Sequence, residues 1–223
     1  MCIANNLELL KAALPDRVKL VAVTKTHPEE MIMELYRFGH KIYGENKVQE
    51  LVGKYQNLPK DIQWHMIGHL QSNKVKQIAP FVSLIHSVDS AGLLEVINKE
   101  AIKNNRVIDC LLQLRIAREE TKYGLQYKDI TALLQSQLFH QFNNIKILGL
   151  MGMATFSDDE GIVRQEFEYL TKCFNELKEQ YFAEKPYFCE LSIGMSGDYK
   201  LAIEAGSTMV RIGSLIFGER NYK

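Results

Sequence analysis

The chain has 223 residues, enough for one large domain with a sizeable core, and its 27 basic and 27 acidic side chains balance. This balance argues against a protein that binds nucleic acid or acidic membranes, because such proteins typically carry a surplus of basic residues. The four cysteines show no metal-ligand spacing, the N-terminus lacks a secretory pattern, and no apolar run approaches the roughly 18 residues of a membrane span. We therefore expect a cytoplasmic protein that has no metal site and binds neither nucleic acid nor membranes.

Short apolar runs alternate with amphipathic segments along the whole chain. The predicted strands are Val18–Val23, Lys41–Tyr43, Gln63–Ile67, Val82–His86, Ile108–Ile116, Ile145–Met151, Phe188–Leu191 and Thr208–Arg211. Helical spacing predicts helices near Asn5–Leu14, Glu29–Phe38, Lys47–Gln56, Ser72–Ala79, Ala91–Lys103, Asp129–Leu138, Asp158–Phe182 and Asp198–Ala205. Several strands are apolar on both faces, which is typical of parallel strands covered by helices. The pattern predicts one α/β domain over residues 1–223, a single (β/α)8 TIM-type barrel, with an open doubly wound sheet as the alternative.

Lys25 follows the first predicted strand. The strand runs into Thr24, Lys25 and Thr26, and Pro28 then opens the next helix. The carboxyl ends of barrel strands form the catalytic face, where a partly desolvated lysine can act as a nucleophilic amine toward a carbonyl. A solvated loop lysine is the other interpretation of this position.

Small and hydroxylated residues follow the last two predicted strands. Ser192, Ser196 and Gly197 come after the seventh strand, and Gly213 and Ser214 come after the eighth. TIM barrels often bind phosphate at these two loops, where glycine allows the backbone to approach a ligand and N–H groups can bind an anion.

Barrel closure would bring these loops next to Lys25, because the eighth strand then neighbours the first. A nucleophilic lysine beside a phosphate-binding loop suits an aldehyde that carries a phosphate. Pyridoxal 5′-phosphate fits best, and a phosphosugar that forms a Schiff base is the competitor.

Arg211, at the end of the eighth strand, is a candidate partner for the ring of such a ligand. A permanently charged guanidinium disfavours protonation of a pyridine nitrogen, which weakens the ring as an electron sink. A salt-bridged structural arginine is the alternative.

The sequence resembles the family of pyridoxal phosphate homeostasis proteins, whose barrel is related to the N-terminal domain of alanine racemase. The resemblance runs through AVTKTHP around Lys25, YGENKVQE, WHMIGHLQSNK, HSVDS, EETKYG, GLMGMA, LSIGMSGD and GSTMVRIGSLIFGER. These motifs occur in order over nearly the whole chain, so the resemblance is specific.

The resemblance implies roles for individual residues. Lys25 would hold pyridoxal phosphate as a Schiff base, and Arg211 would face the pyridine nitrogen. Ser196 would hold the phosphate with the backbone of Gly213 and Ser214, and Ser192 belongs to the same predicted group of cofactor-binding residues. Asn46 would line the cofactor face, with a helix N-cap as its alternative role.

Three histidines and two lysines lie at other candidate mouth positions. His65, His69 and His86 are interpreted as structural or supporting residues. Lys74 and Lys122 are interpreted as solvated or salt-bridged, with a transient second amine during cofactor transfer as the alternative.

The sequence favours a carrier of pyridoxal phosphate over an enzyme. A two-base racemase needs a proton donor and an acceptor on opposite faces of its substrate, and only Lys25 is evident. We expect no catalytic residue, a monomer or weak dimer, and apo-enzymes that depend on pyridoxal phosphate as partners. A slow racemase or decarboxylase and a cofactor-free Schiff-base aldolase are the alternatives.

Overall fold

The computed structural model describes residues 3–118 and 123–218, and its framework is a closed barrel of eight parallel strands. The strands are β1 (Lys19–Val23), β2 (Ile42–Glu45), β3 (Gln63–Met66), β4 (Leu84–Val88), β5 (Ile108–Gln113), β6 (Ile145–Met151), β7 (Glu190–Ser192) and β8 (Met209–Ile212). They neighbour each other in sequence order, and β8 pairs in parallel with β1. The predicted barrel is confirmed, and the open doubly wound sheet is excluded.

One helix precedes β1, the others follow strands, and together they cover the outside of the barrel. They are α1 (Ile3–Ala13), α2 (Glu29–Arg37), α3 (Val48–Asn57), α4 (Val75–Ile78), α5 (Ala91–Lys103), α6 (Tyr127–Gln135), α7 (Glu160–Tyr181), α8 (Tyr199–Glu204) and α9 (Ser214–Phe217). Short 3-10 turns at Ser72–Lys74 and Phe139–Gln141 complete the order. Among the described residues, no helix is both long and apolar enough to span a membrane.

The apolar core has two layers because the strands bury both faces. The larger layer lies between the strands and the helices and includes Trp64, Phe167 and Phe188. A smaller cluster is formed by side chains of Val21, Leu84, Leu111, Met151 and Met209. The barrel is therefore packed with side chains, and a ligand must bind at its end.

The seam between β8 and β1 determines where the site lies. Four consecutive residue pairs run from Lys19↔Met209 to Ala22↔Ile212. The turn after β1 is therefore next to the loop after β8, although nearly the whole chain separates them in sequence.

Candidate functional site

A cavity of about 270 Å³ opens at the carboxyl ends of the strands. Its lining consists of Val23, Lys25, Asn46, Ile67, Met153, Met195, Ser196, Gly197, Arg211, Gly213 and Ser214. The structure thus brings together six of the seven residues predicted to bind a cofactor. Ser192 is the exception.

Lys25 lies two residues beyond the end of β1, in a short turn before α2. Its side chain is half-buried and lines the cavity. The turn continues to His27, whose ring stacks on that of Phe217 in α9 with the centroids 4.5 Å apart. The Lys25 turn therefore packs against the helix that follows β8.

The loops after β7 and β8 meet at a hydrogen bond. The backbone N–H of Gly213 donates to Ser196 Oγ at 3.3 Å. Ser196, Gly197, Gly213 and Ser214 all line the cavity here, and α9 starts at Ser214. Hydroxyls and backbone N–H groups at such a junction are suited to bind a phosphate.

Arg211 is almost completely buried, and its guanidinium is held by acceptors inside the barrel. Nη1 donates to the carbonyl oxygen of Ser192 at 2.8 Å and to its Oγ at 2.7 Å. Nη2 donates to the carbonyl oxygen of Gly152 at 3.0 Å. Burial lowers the pKa of Arg211 to about 10, with the Asp198 carboxylate opposing the shift. The guanidinium therefore stays charged near neutral pH and presents a fixed cation to the cavity.

Ser192 is fully buried inside the barrel, where it accepts a hydrogen bond from Arg211 and so orients the guanidinium. Its Oγ lies 3.0 Å from His86 Nδ1, and His86 Nε2 lies 3.0 Å from His65 Nδ1. Burial lowers the pKa of both histidines, that of His65 to about 3, so both rings are neutral. Because a guanidinium only donates, Ser192 accepts from Arg211 and can donate its own proton to His86. The protons then point away from Arg211, and each ring carries its proton on Nε2.

Asn46 lines the cavity directly after β2. Its Oδ1 is buried and has no hydrogen-bond partner among the described residues. The alternative role as a helix cap is not seen, because Lys47 is the N-cap of α3 and its side chain makes no capping hydrogen bond. A polar ligand in the cavity would satisfy the Asn46 amide, so this orphaned atom fits the predicted cofactor face.

Gly68 was missed in the sequence although it shapes the site. A Cβ at Gly68 would lie 2.5 Å from the carbonyl oxygen of Asn46, so a side chain would displace Asn46. The apolar part of the lining was not predicted either; it consists of Val23, Ile67, Met153 and Met195. These residues end strands or lie in loops, where periodicity does not distinguish a cavity wall from the core.

Of the remaining candidates, His69 and Lys74 do not line the main cavity. His69 pairs through Nδ1 with Asp89 at 3.0 Å and stacks on Tyr123. Lys74 ends a 3-10 turn and lines a smaller pocket of about 220 Å³. Lys122 lies outside the described residues.

Comparison with known proteins identifies the family. The family described as alanine racemase, N-terminal domain, matches residues 2–221. A pyridoxal phosphate homeostasis protein of Aquifex aeolicus is 44% identical over 205 residues, which are 92% of this chain and 88% of the relative. The chain belongs to the pyridoxal phosphate homeostasis protein family. The family predicted from the motifs is thereby confirmed.

Solved structures agree with this assignment. PipY of Synechococcus elongatus, a structure without PLP, has a TM-score of 0.90 and 36% identity, and covers 97% of this chain and 100% of its own. The same protein with PLP bound has a TM-score of 0.86 and 34% identity, with the same coverage. Alanine racemase of Clostridium difficile covers 100% of this chain and 58% of its own with a TM-score of 0.76, and its 13% identity makes it a likeness of fold alone.

Proposed function

We propose that this protein binds pyridoxal 5′-phosphate as a Schiff base on Lys25 and serves the intracellular balance of that cofactor. The observation that carries the proposal is the single cavity that Lys25, Asn46, Ser196, Arg211, Gly213 and Ser214 line together. The family and the PLP-bound state of PipY support it. Pyridoxal phosphate supplies an aldehyde conjugated to a pyridine ring, and a phosphate that serves as a handle.

Each residue has a task in this proposal. The unprotonated Lys25 amine adds to the aldehyde carbon, a C–N double bond forms, and the aldehyde oxygen leaves as water. Ser196, Gly213 and Ser214 bind the phosphate, and Asn46 binds the polar edge of the ring. Arg211 faces the pyridine nitrogen as a cation, and Ser192 acts through Arg211 as a positioning residue.

The proposal favours carriage over turnover because the ring would be a weak electron sink beside Arg211. Apo-enzymes that depend on pyridoxal phosphate are the proposed recipients, the proposed location is the cytoplasm, and the proposed oligomeric state is a monomer or weak dimer. Screening amino acids for exchange of the α-proton with solvent separates a carrier from a slow racemase. Exchange at catalytic rates would overturn the carrier role while leaving cofactor binding intact.

The binding proposal is tested by adding pyridoxal phosphate to protein stripped of cofactor and recording the absorbance spectrum. Wild-type protein is expected to develop the visible absorbance of a Schiff base, and Lys25→Ala is expected to show only that of the free aldehyde. Lys76→Ala, an exposed lysine on α4, is the matched control and is expected to behave as wild type. A Lys25→Ala protein that still gained the Schiff-base absorbance would overturn the proposal.

A further inference from the structure

A cluster of three charged side chains, two of them buried and one partly exposed, lies beside the Lys25 turn. It consists of Glu45 at the end of β2 and of Glu50 and Lys54 on α3. Lys54 Nζ lies 2.5 Å from Glu45 Oε1 and 3.6 Å from Glu50 Oε2, and the Glu45 and Lys54 side chains are only 0% and 8% exposed. Burial raises the pKa of Glu45, with Lys54 opposing the rise. The three side chains, all in the described part of the chain, are outside the cavity lining.

The cluster holds both chain neighbours of Lys25. On one side, Lys54 Nζ donates to the carbonyl oxygen of Thr24 at 2.7 Å, and Thr24 Oγ1 donates to Glu45 Oε1 at 2.5 Å. On the other side, the backbone N–H of Thr26 donates to Glu50 Oε2 at 2.7 Å. The same three side chains therefore hold the residues on both sides of Lys25 by hydrogen bonds.

Thr26 shows that this turn is held under strain. Its φ of 66° lies in the left-handed region, which a β-branched residue seldom adopts. Such a conformation persists only where the surroundings determine it, and it is found preferentially at functional sites. Two contacts hold this backbone: the N–H of Thr26 donates to Glu50, and the N–H of His27 donates to the carbonyl oxygen of Thr24 at 3.0 Å.

Stability alone is a weak reason for such a cluster. Burying charges costs free energy that their attraction often fails to recover, so an apolar set of similar volume often serves a fold as well or better. What the charges provide here is directed hydrogen bonding to the backbone on both sides of one residue.

We propose that Glu45, Glu50 and Lys54 form a positioning clamp that aims Lys25 at the aldehyde of the cofactor. The inference rests on the proposed function, because it assigns the clamp to the reaction of Lys25 with pyridoxal phosphate. The clamp acts on the lysine and not on the phosphate or ring contacts. Loosening it should therefore slow formation of the imine and leave non-covalent binding in the cavity intact.

Two ligands separate these effects. Pyridoxal 5′-phosphate forms the imine and is followed by its absorbance in stopped flow. Pyridoxine 5′-phosphate carries an alcohol in place of the aldehyde, so it reports non-covalent binding alone, measured by calorimetry. Both are added to full-length protein stripped of cofactor.

The variants grade the contact between Glu50 and Thr26. Glu50→Ala removes the acceptor and is expected to slow imine formation at least tenfold, with the Kd of pyridoxine 5′-phosphate within twofold of wild type. Glu50→Gln keeps an acceptor oxygen and is expected to restore the rate to within about threefold of wild type. Gln56→Ala, an exposed position on the same helix, is the control and is expected to change neither quantity.

Thr26→Gly keeps the proposal testable if Glu50→Ala does not fold. Glycine adopts the left-handed conformation without strain, but it also allows many other backbone conformations, so the turn becomes less rigid. The expected result is slower imine formation without a lower Tm.

The clamp is overturned if folded Glu50→Ala, or Thr26→Gly in its place, forms the imine at the wild-type rate. It is also overturned if the affinity for pyridoxine 5′-phosphate falls in the same proportion as the rate. Wild-type protein that binds pyridoxine 5′-phosphate but forms no imine would overturn the proposed function and the clamp with it.

Discussion

Three histidines of the described residues, His40, His65 and His86, are buried as neutral rings. His65 and His86 lie inside the barrel behind Arg211, whereas His40 lies near β2 and contacts the carbonyl oxygen of Ile42 at 2.9 Å. Burial lowers the pKa of His40 to about 4 and that of His65 to about 3. The hydrogen-bonded histidines behind Arg211 must be neutral, because a second cation there would repel the guanidinium.

These histidines make the free energy of unfolding depend on pH below 6.5. The unfolded chain takes up the proton near pH 6.5, whereas the folded protein resists protonation until about pH 4 or lower, so stability falls as the pH drops between these values. Each such histidine contributes a slope of about 1.4 kcal/mol per pH unit in this window.

Urea unfolding at several pH values between 4.5 and 7 measures the slope. His40→Gln is expected to reduce it by about 1.4 kcal/mol per pH unit, because one proton fewer is taken up on unfolding. His140→Gln, at an exposed position, is the control for the substitution itself. Equal slopes for His40→Gln and wild type would contradict the assignment of a neutral buried ring.

Among single residues, the sequence identified the polar side chains that face the cavity, but neither its apolar lining nor the residues that act behind it. Lys25 and Arg211 were predictable because strand ends meet at one end of a barrel. Ser192 was grouped with them, yet it contacts Arg211 and His86, because a strand buried on both faces does not reveal which way a side chain points. Glu50 and Lys54 were missed since a pair at that spacing on a helix resembles an exposed surface pair.

Among the strands and helices, β6 and β7 can pair closely because Gly149 has no side chain. A Cβ at Gly149 would lie 1.8 Å from the carbonyl oxygen of Glu190, the residue paired with it on β7. Gly53, inside α3, has nothing within 4 Å of the corresponding position. The same substitution at these two positions should therefore have opposite effects.

Gly149→Ala is expected to lower the free energy of unfolding by about 3 kcal/mol or more, since backbone must move to make room. Gly53→Ala is expected to raise it by roughly 0.5–1 kcal/mol, because alanine is the better helix former. Urea unfolding of both variants against wild type measures the difference. A Gly149→Ala protein as stable as wild type would mean that β6 and β7 do not pair in this register.

Element order was predictable from the sequence, and element ends were less so. All eight strands were predicted, but β4 is Leu84–Val88 where Val82–His86 was expected, and β7 ends at Ser192 and not at Leu191. Apolar periodicity continues through the turn that enters a strand, so it does not mark the first paired residue. The predicted helix Ser72–Ala79 is a 3-10 turn followed by the short α4.

The whole molecule creates the site by closing on itself. Lys25 follows the first strand, Arg211 lies on the last strand, and Gly213 and Ser214 follow it. Only the pairing of β1 with β8 makes them neighbours of Lys25. The sequence predicted this closure from the repeated strand–helix units. It did not reveal the depth of the cavity or the side chains that fill the barrel below it, because those depend on packing across all eight strands.

The Schiff base proposed on Lys25 is tested most directly by locating the lysine that carries the cofactor. Protein loaded with pyridoxal phosphate is reduced with borohydride, digested and analysed by mass spectrometry. We expect one phosphopyridoxyl group per chain, on the peptide containing Lys25, and none on Lys74 or Lys122. A cofactor found on another lysine, or none retained after reduction, would contradict this proposal.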